Sequence, residues 1–173
     1  MKRQYKFIFD FSLPHEEKRW EIVTDEVMGG ISKTQMYITP NKTAVFRGEV
    51  SLENYGGFAS IRTKPQDYRL DGFAGISLRV KGDGKKYRLR LRTDNKFEGI
   101  AYQSGFITQP ENWINVHLPF NEFIPVFRGR IVQEAPRLEA GHVRRIGFMI
   151  ADKQAGPFAL EIDWVKAYKE NNS

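Results

Sequence analysis

The stretch from Ile76 to Thr93 constrains this chain more than any other. Apolar side chains fall at Ile76, Leu78 and Val80, and again at Tyr87, Leu89 and Leu91. Between them stand Ser77, Arg79 and Lys81, then Arg88, Arg90 and Arg92. Strict alternation is the period of a strand with one face buried and the other in water. Gly82-Asp83-Gly84 separates the two runs with turn chemistry, since Gly tolerates positive φ and Asp bonds its own backbone. The expectation is a β-hairpin with one packed face and one basic ladder. A one-residue slip would drive arginines into the core, so the register is strongly specified.

The rest of the chain reads as strands that cover that packed face. Tyr5, Phe7, Phe9 and Phe11 alternate and predict a first strand with an aromatic face. Residues 33–39 and 43–50 flank Pro40-Asn41-Lys42, a hairpin with a turn-forming centre. Further strands are read over residues 58–63, 98–108, 113–118, 143–151 and 157–168, the last with the apolar set Phe158, Leu160, Ile162 and Trp164. Leu70, Phe73 and Ala74 lie in a loop and are available to plug one end. Roughly ten short strands at this spacing, with no amphipathic helix between them, describe an all-β sandwich or barrel and not a parallel α/β sheet. Phe at 13, Tyr at 7 and Gly at 15 suit strands and turns. With 173 residues and no linker or repeat, residues 1–173 are expected to form one domain, with a core over about 5–168 and a polar tail at 169–173.

Composition removes several chemistries. The chain has no cysteine, hence no disulfide, thiolate metal site or Cys nucleophile. No apolar run approaches a membrane span, and the start Met1-Lys2-Arg3-Gln4-Tyr5-Lys6 carries no signal-like segment. The expectation is a cytoplasmic chain. The net charge of +6 permits an acidic partner such as RNA, an acidic protein or an anionic membrane without requiring one.

Candidate sites are few. Arg79, Lys81, Arg88, Arg90 and Arg92 form a partner-binding surface if all five protrude from adjacent strands, because guanidinium forks take carboxylate and phosphate bidentately. The bland alternative is a solvated face paired to acids on neighbouring strands. Asp25, Met28, Gly29, Gly30 and Ser32 mark a tight loop; it either holds an ion or ligand or is only a strained turn. Met28 is a candidate apolar contact. Asp83, Asp94, Asp152, Glu161 and Asp163 carry oxygen ligands but not D-x-D-x-D spacing, so no metal and no cofactor are expected. His15, His117 and His142 lack HxH or HExxH spacing, and no catalytic residue is assigned. Trp20, Trp113 and Trp164 lie in strand-like runs and read as core; exposed, they would stack on sugars.

Five pieces taken together resemble one family. They are Trp20 with Asp25-Glu26-Val27-Met28-Gly29-Gly30-Ile31-Ser32; Phe46 through Ser60, containing Glu53-Asn54-Tyr55-Gly56-Gly57-Phe58; Leu78 through Tyr87; Leu118-Pro119-Phe120 with Phe123; and Ile146 through Phe158, containing Asp152-Lys153-Gln154-Ala155-Gly156-Pro157-Phe158. Over about residues 8–168 the chain resembles the CIA30 family, complex I intermediate-associated protein 30. The resemblance implies a galactose-binding-domain-like jelly-roll β-sandwich of two antiparallel sheets. It implies a non-enzymatic, chaperone-like assembly factor whose client is a protein, such as complex I subunits or intermediates. Two alternatives stand beside it: a carbohydrate-binding module, and an RNA-binding accessory factor for photosystem or respiratory complex biogenesis. The family offers no agreed catalytic residues to carry over. Without the N-terminal extension of mitochondrial members, the chain looks like a bacterial stand-alone member, mitochondrial only if a presequence has been removed.

Overall fold

The computed structural model describes residues 3–25, 30, 32–94 and 99–170. These contain the strands β1 Arg3–Phe9, β2 Trp20–Thr24, β3 Lys33–Ile38, β4 Ala44–Val50, β5 Ala59–Thr63, β6 Gly75–Lys81, β7 Lys86–Arg92, β8 Ala101–Ile107, β9 Trp113–Pro119, β10 Ile124–Phe127, β11 Arg130–Ile131, β12 Arg145–Ile150 and β13 Gly156–Glu170. They form two sheets. The first has the order β3-β4-β13-β6-β9, with β1 added on β13; the second runs β11-β10-β8-β7-β12-β5-β2. Every strand pair is antiparallel. The inner faces meet in an apolar core that includes Ile76, Leu78 and Val80 of β6, Leu89 and Leu91 of β7, and Phe148 of β12, all fully buried. Leu70 is buried and Phe73 packs against the core, as a plug would.

Alternation over 76–93 predicted the buried apolar positions, but not the burial of Ser77, which the pattern set on the outer face, and not the pairing. β6 and β7 are not a hairpin. β6 lies between β13 and β9 in the first sheet, and β7 lies between β8 and β12 in the second. A period of two specifies a buried face and says nothing of which sheet a strand joins. Residues 82–85 carry the chain across the sandwich instead of back along it. The Asp83 carboxylate fixes this crossing: it accepts hydrogen bonds from the Lys85 amide at 3.1 Å, the Ala159 amide at 2.9 Å and the Tyr87 hydroxyl at 3.1 Å. The hairpin read around Pro40-Asn41-Lys42 does form, from β3 and β4.

Two aromatic runs change phase within the chain. Tyr5 and Phe7 are exposed while Phe9 is buried, because the β1–β13 register shifts between Phe7 and Phe9; Phe11, beyond the strand, is also buried at φ 58. The expected single aromatic face of residues 5–11 is therefore two. In β13 the register against β6 shifts between Ile162 and Trp164, as a bulge does. Phe158, Leu160 and Ile162 point inward, and after the shift Val165 and Ala167 do. Trp164 and Lys166 are thereby turned outward, with the ammonium 4.1 Å from the indole centroid. Of the three tryptophans only Trp20 is buried, packed on Phe9 and Phe148.

Candidate functional site

Because β6 and β7 belong to different sheets, the basic ladder is divided between opposite outer faces of the sandwich. Arg79 and Lys81 stand on the first sheet, in register with Asn115 and Trp113 of β9. Arg79 Nε lies 3.2 Å from Asp163 Oδ2, and Lys81 Nζ lies 3.4 Å from Glu161 Oε1. Both cations sit 5.2 Å from the Trp113 ring centroid. These half-exposed pairs match the bland reading of a solvated, self-neutralised face.

Arg88, Arg90 and Arg92 stand on the outer face of the second sheet in different company. The β7–β12 register sets Arg92 beside Arg145, Arg90 beside Gly147 and Arg88 beside Met149. The next strand, β5, sets Arg62 beside Gly147. The β10–β11 hairpin, with Phe127, Arg128 and Ile131, rises along one side and closes a cleft of about 580 Å³. That volume is in the range of ligand pockets, and its lining mixes six arginines with apolar side chains.

The carboxylates in contact with these arginines are unevenly shared. Glu21 Oε2 takes both Arg145 Nη1, at 3.1 Å, and Arg62 Nε, at 3.5 Å. Arg88 pairs with Asp152. Arg92 Nη1 donates to the Gly99 carbonyl at 3.3 Å. Arg90 has no carboxylate partner among the described residues, and its Nε is buried without a hydrogen bond. Burial, and then the charges of Arg92, Arg88 and Arg62, push the Arg90 pKa down to about 10, so it is still charged at neutral pH. Burial and Arg145 also lower that of Arg62, partly offset by Glu21. A half-buried cation among like charges in a cleft has physical reason to meet an anion.

The Asp25 loop has another role. Asp25 is fully buried. Its carboxylate accepts hydrogen bonds from the Ser32 amide at 2.9 Å, the Gly57 amide at 2.6 Å, the Phe58 amide at 3.3 Å and the Ser32 hydroxyl. Gly30 and Gly56 approach so closely that a Cβ on either would collide with that carboxylate. Acceptor capacity is filled from within the chain, so Asp25, Gly30 and Ser32 form an internal clasp. It binds the β2–β3 connection to the β4–β5 connection. Burial pushes the Asp25 carboxyl up, but the hydrogen bonds of Ser32, Gly57 and Phe58 hold it below its ordinary value. Met28 and Gly29 lie outside the described residues.

The remaining candidates are dispersed. His15 precedes a 3-10 turn, His117 meets Tyr168 edge-on, and His142 Nδ1 lies 2.9 Å from Glu139. Among the described residues no three His, Asp or Glu side chains gather as metal ligands do. Asp83, Asp152, Glu161 and Asp163 are instead engaged as described above. Tyr102 is buried and its hydroxyl donates to the Pro136 carbonyl at 2.6 Å, so it offers no open stacking surface, while Trp113 is half-buried with Arg79 and Lys81 against its ring. Sequence reading missed Arg62, Arg128 and Arg145. Arg62 and Arg145 do show a signal: each is a cation beside an inward-facing isoleucine, Ile61 or Ile146, in the outward phase of a strand.

The family model for Complex I intermediate-associated protein 30 (CIA30) matches residues 9–162. This chain belongs to the CIA30 family. Among curated relatives, the mitochondrial Complex I intermediate-associated protein 30 of Drosophila melanogaster is 27% identical over 91% of the chain, and that of Mus musculus 26% over 96%. The chain spans 61% and 57% of those two proteins. Among solved structures, a family 11 carbohydrate-binding module from Clostridium thermocellum, in complex with a β-1,3-1,4-mixed-linked tetrasaccharide, matches with a TM-score of 0.74 at 16% identity, over 98% of each chain. At that identity the likeness is one of fold. The CIA30 chain has the expected galactose-binding-domain-like jelly roll of two antiparallel sheets.

Proposed function

We propose that this CIA30-family chain is a non-enzymatic, chaperone-like interaction module, working as one unit over residues 1–173 in complex I assembly, and that its arginine-lined cleft docks a protein client. The observation that carries the docking role is half-buried Arg90, its Nε buried without a hydrogen bond and its guanidinium without a carboxylate partner among the described residues, amid other arginines in a cleft with apolar walls. The assembly role is supported by family membership and by relatives named for complex I intermediates. Those relatives are named mitochondrial, and no helix among the described residues is long and apolar enough to cross a membrane.

The test is recovery of the tagged protein from native extract at moderate salt, with and without RNase. Complex I subunits are expected in both samples and are expected to fall away with Arg90→Met. Recovery of no complex I subunit, or its loss on RNase treatment, overturns the assembly reading.

A further inference from the structure

We propose that the cleft on the second sheet receives an acidic peptide segment of the client, one carboxylate seated against Arg90 and the neighbouring aliphatic side chains packed on Phe127 and Ile131. This deepens the docking role proposed above and rests on it.

The register explains why Arg90 is the seat. Across the sheet the row runs Glu21, Arg62, Gly147, Arg90, Gln103. Glu21 neutralises the end of the row at Arg62. Gly147 carries no side chain, and a Cβ there would collide with the Ile61 carbonyl and Arg62, so β12 sets neither an acid nor any other side chain directly beside Arg90 in this row. The Arg90 guanidinium is then flanked by neutral groups within its row and by arginines at Arg88 and Arg92 along its strand. An incoming carboxylate meets a fork with no internal competitor among the described residues.

The walls choose between anions. Phe127 is 39% exposed and Ile131 61%, and Met149 and Phe58 also line the cleft. A free phosphate would use the floor and leave these walls bare. A nucleic-acid strand needs open rings for its bases, but the guanidinium of Arg128 lies 5.2 Å from the centroid of the Phe127 ring. A segment alternating acidic and aliphatic residues uses floor and walls together.

The arrangement costs the free protein stability that a bound anion restores. A ligand that binds only the folded state raises its melting temperature. Replacing a half-buried cation that has no carboxylate partner among the described residues by an apolar side chain of similar length stabilises the free fold.

The experiment is fluorescence anisotropy on the intact protein at low salt. The probes are a short labelled peptide of alternating glutamate and leucine and its glutamine counterpart. The glutamate peptide is expected to bind at least about tenfold more tightly and to raise the melting temperature. Arg90→Met is expected to weaken binding by about tenfold while melting higher than wild type without peptide. The double variant Arg79→Ala, Lys81→Ala stays within about twofold. Equal binding of the two peptides, an unaffected Arg90→Met, or loss of binding in the double variant overturns the proposal. So does tighter binding of oligouridylate, inorganic phosphate or the mixed-linked tetrasaccharide through Arg90. Undiminished recovery of complex I subunits by Arg90→Met overturns the cleft alone. Peptide binding through Arg90 without any complex I subunit in the extract upholds the cleft and overturns the assembly role.

Discussion

The two outer faces of this sandwich start from the same local pattern, basic residues alternating with apolar ones, and end in different electrostatic states. On the first sheet Arg79 and Lys81 meet Asp163, Glu161 and the face of Trp113. On the second, Arg90 meets Gly147 and Gln103, with arginines along its own strand. The side chains are of one kind; what differs is the neighbouring strand. β13 supplies acids in the outward phase, while β12 and β5 supply Arg145 and Arg62. Charge written in a strand becomes a paired surface or a binding surface according to its partner strands.

The comparison rests on the inner faces being equivalent, and the largest effects test this. Leu78→Ala in β6 and Leu89→Ala in β7, both fully buried, are each expected to cost about 2–5 kcal/mol in urea unfolding. A small cost at either position would mean that one sheet is not part of the same core.

Next come the clasps that hold the faces apart. Asp25→Ala removes the acceptor for three amides and a hydroxyl and is expected to cost on the order of 3 kcal/mol. The folded-state carboxyl of Asp25 is lowered below 3.8. Its stabilisation is therefore complete above the unfolded value and is lost as pH falls through the folded value. Wild type should lose stability in acid below about pH 4, and Asp25→Asn should show a shallower acid limb in unfolding measured against pH. At the other crossing, Asp83→Ala is expected to cost about 2 kcal/mol. Thermal unfolding of this variant with no change in midpoint would show that Asp83 does not fix the passage from β6 to β7.

The smallest effects read the faces directly. Arg90→Met is expected to stabilise the free protein by about 1 kcal/mol. Arg79→Ala or Lys81→Ala should change stability by no more than about 0.5 kcal/mol, as for exposed pairs. Scanning calorimetry in low and high salt separates them: salt should stabilise wild type through the second face, and the Arg90→Met variant less so. If both faces respond alike to salt, the asymmetry between them is wrong.

The pieces that carried the CIA30 resemblance largely lie where the chain changes sheet. Asp25 to Ser32 leads from β2 to β3, Ser51 to Phe58 from β4 to β5, Gly82 to Lys85 from β6 to β7, and Asp152 to Gly156 from β12 to β13. Asp25, Asp83 and Gln154 each tie such a connection to another part of the chain, Gln154 by bonds to both the amide and the carbonyl of Lys86. The Asp25 loop offered two readings, ion site or turn. Only the placement of Gly57 and Phe58, far along the sequence, shows that its oxygens are already taken.

Alternation by itself determined which side chains are buried: Ile76, Leu78, Val80, Tyr87, Leu89 and Leu91 are all inside. That is a local property, since successive side chains of a strand point to opposite faces whatever it pairs with. Turn residues marked the strand ends for the same local reason. Strand pairing is decided by residues distant in sequence, and tertiary structure alone sent β6 and β7 to different sheets. The same long-range pairing brought Arg145 beside β7 and Arg62 one strand beyond it, and left Arg90 without a carboxylate among the described residues, because a charge finds or lacks its counter-ion only once the neighbouring strand is in place.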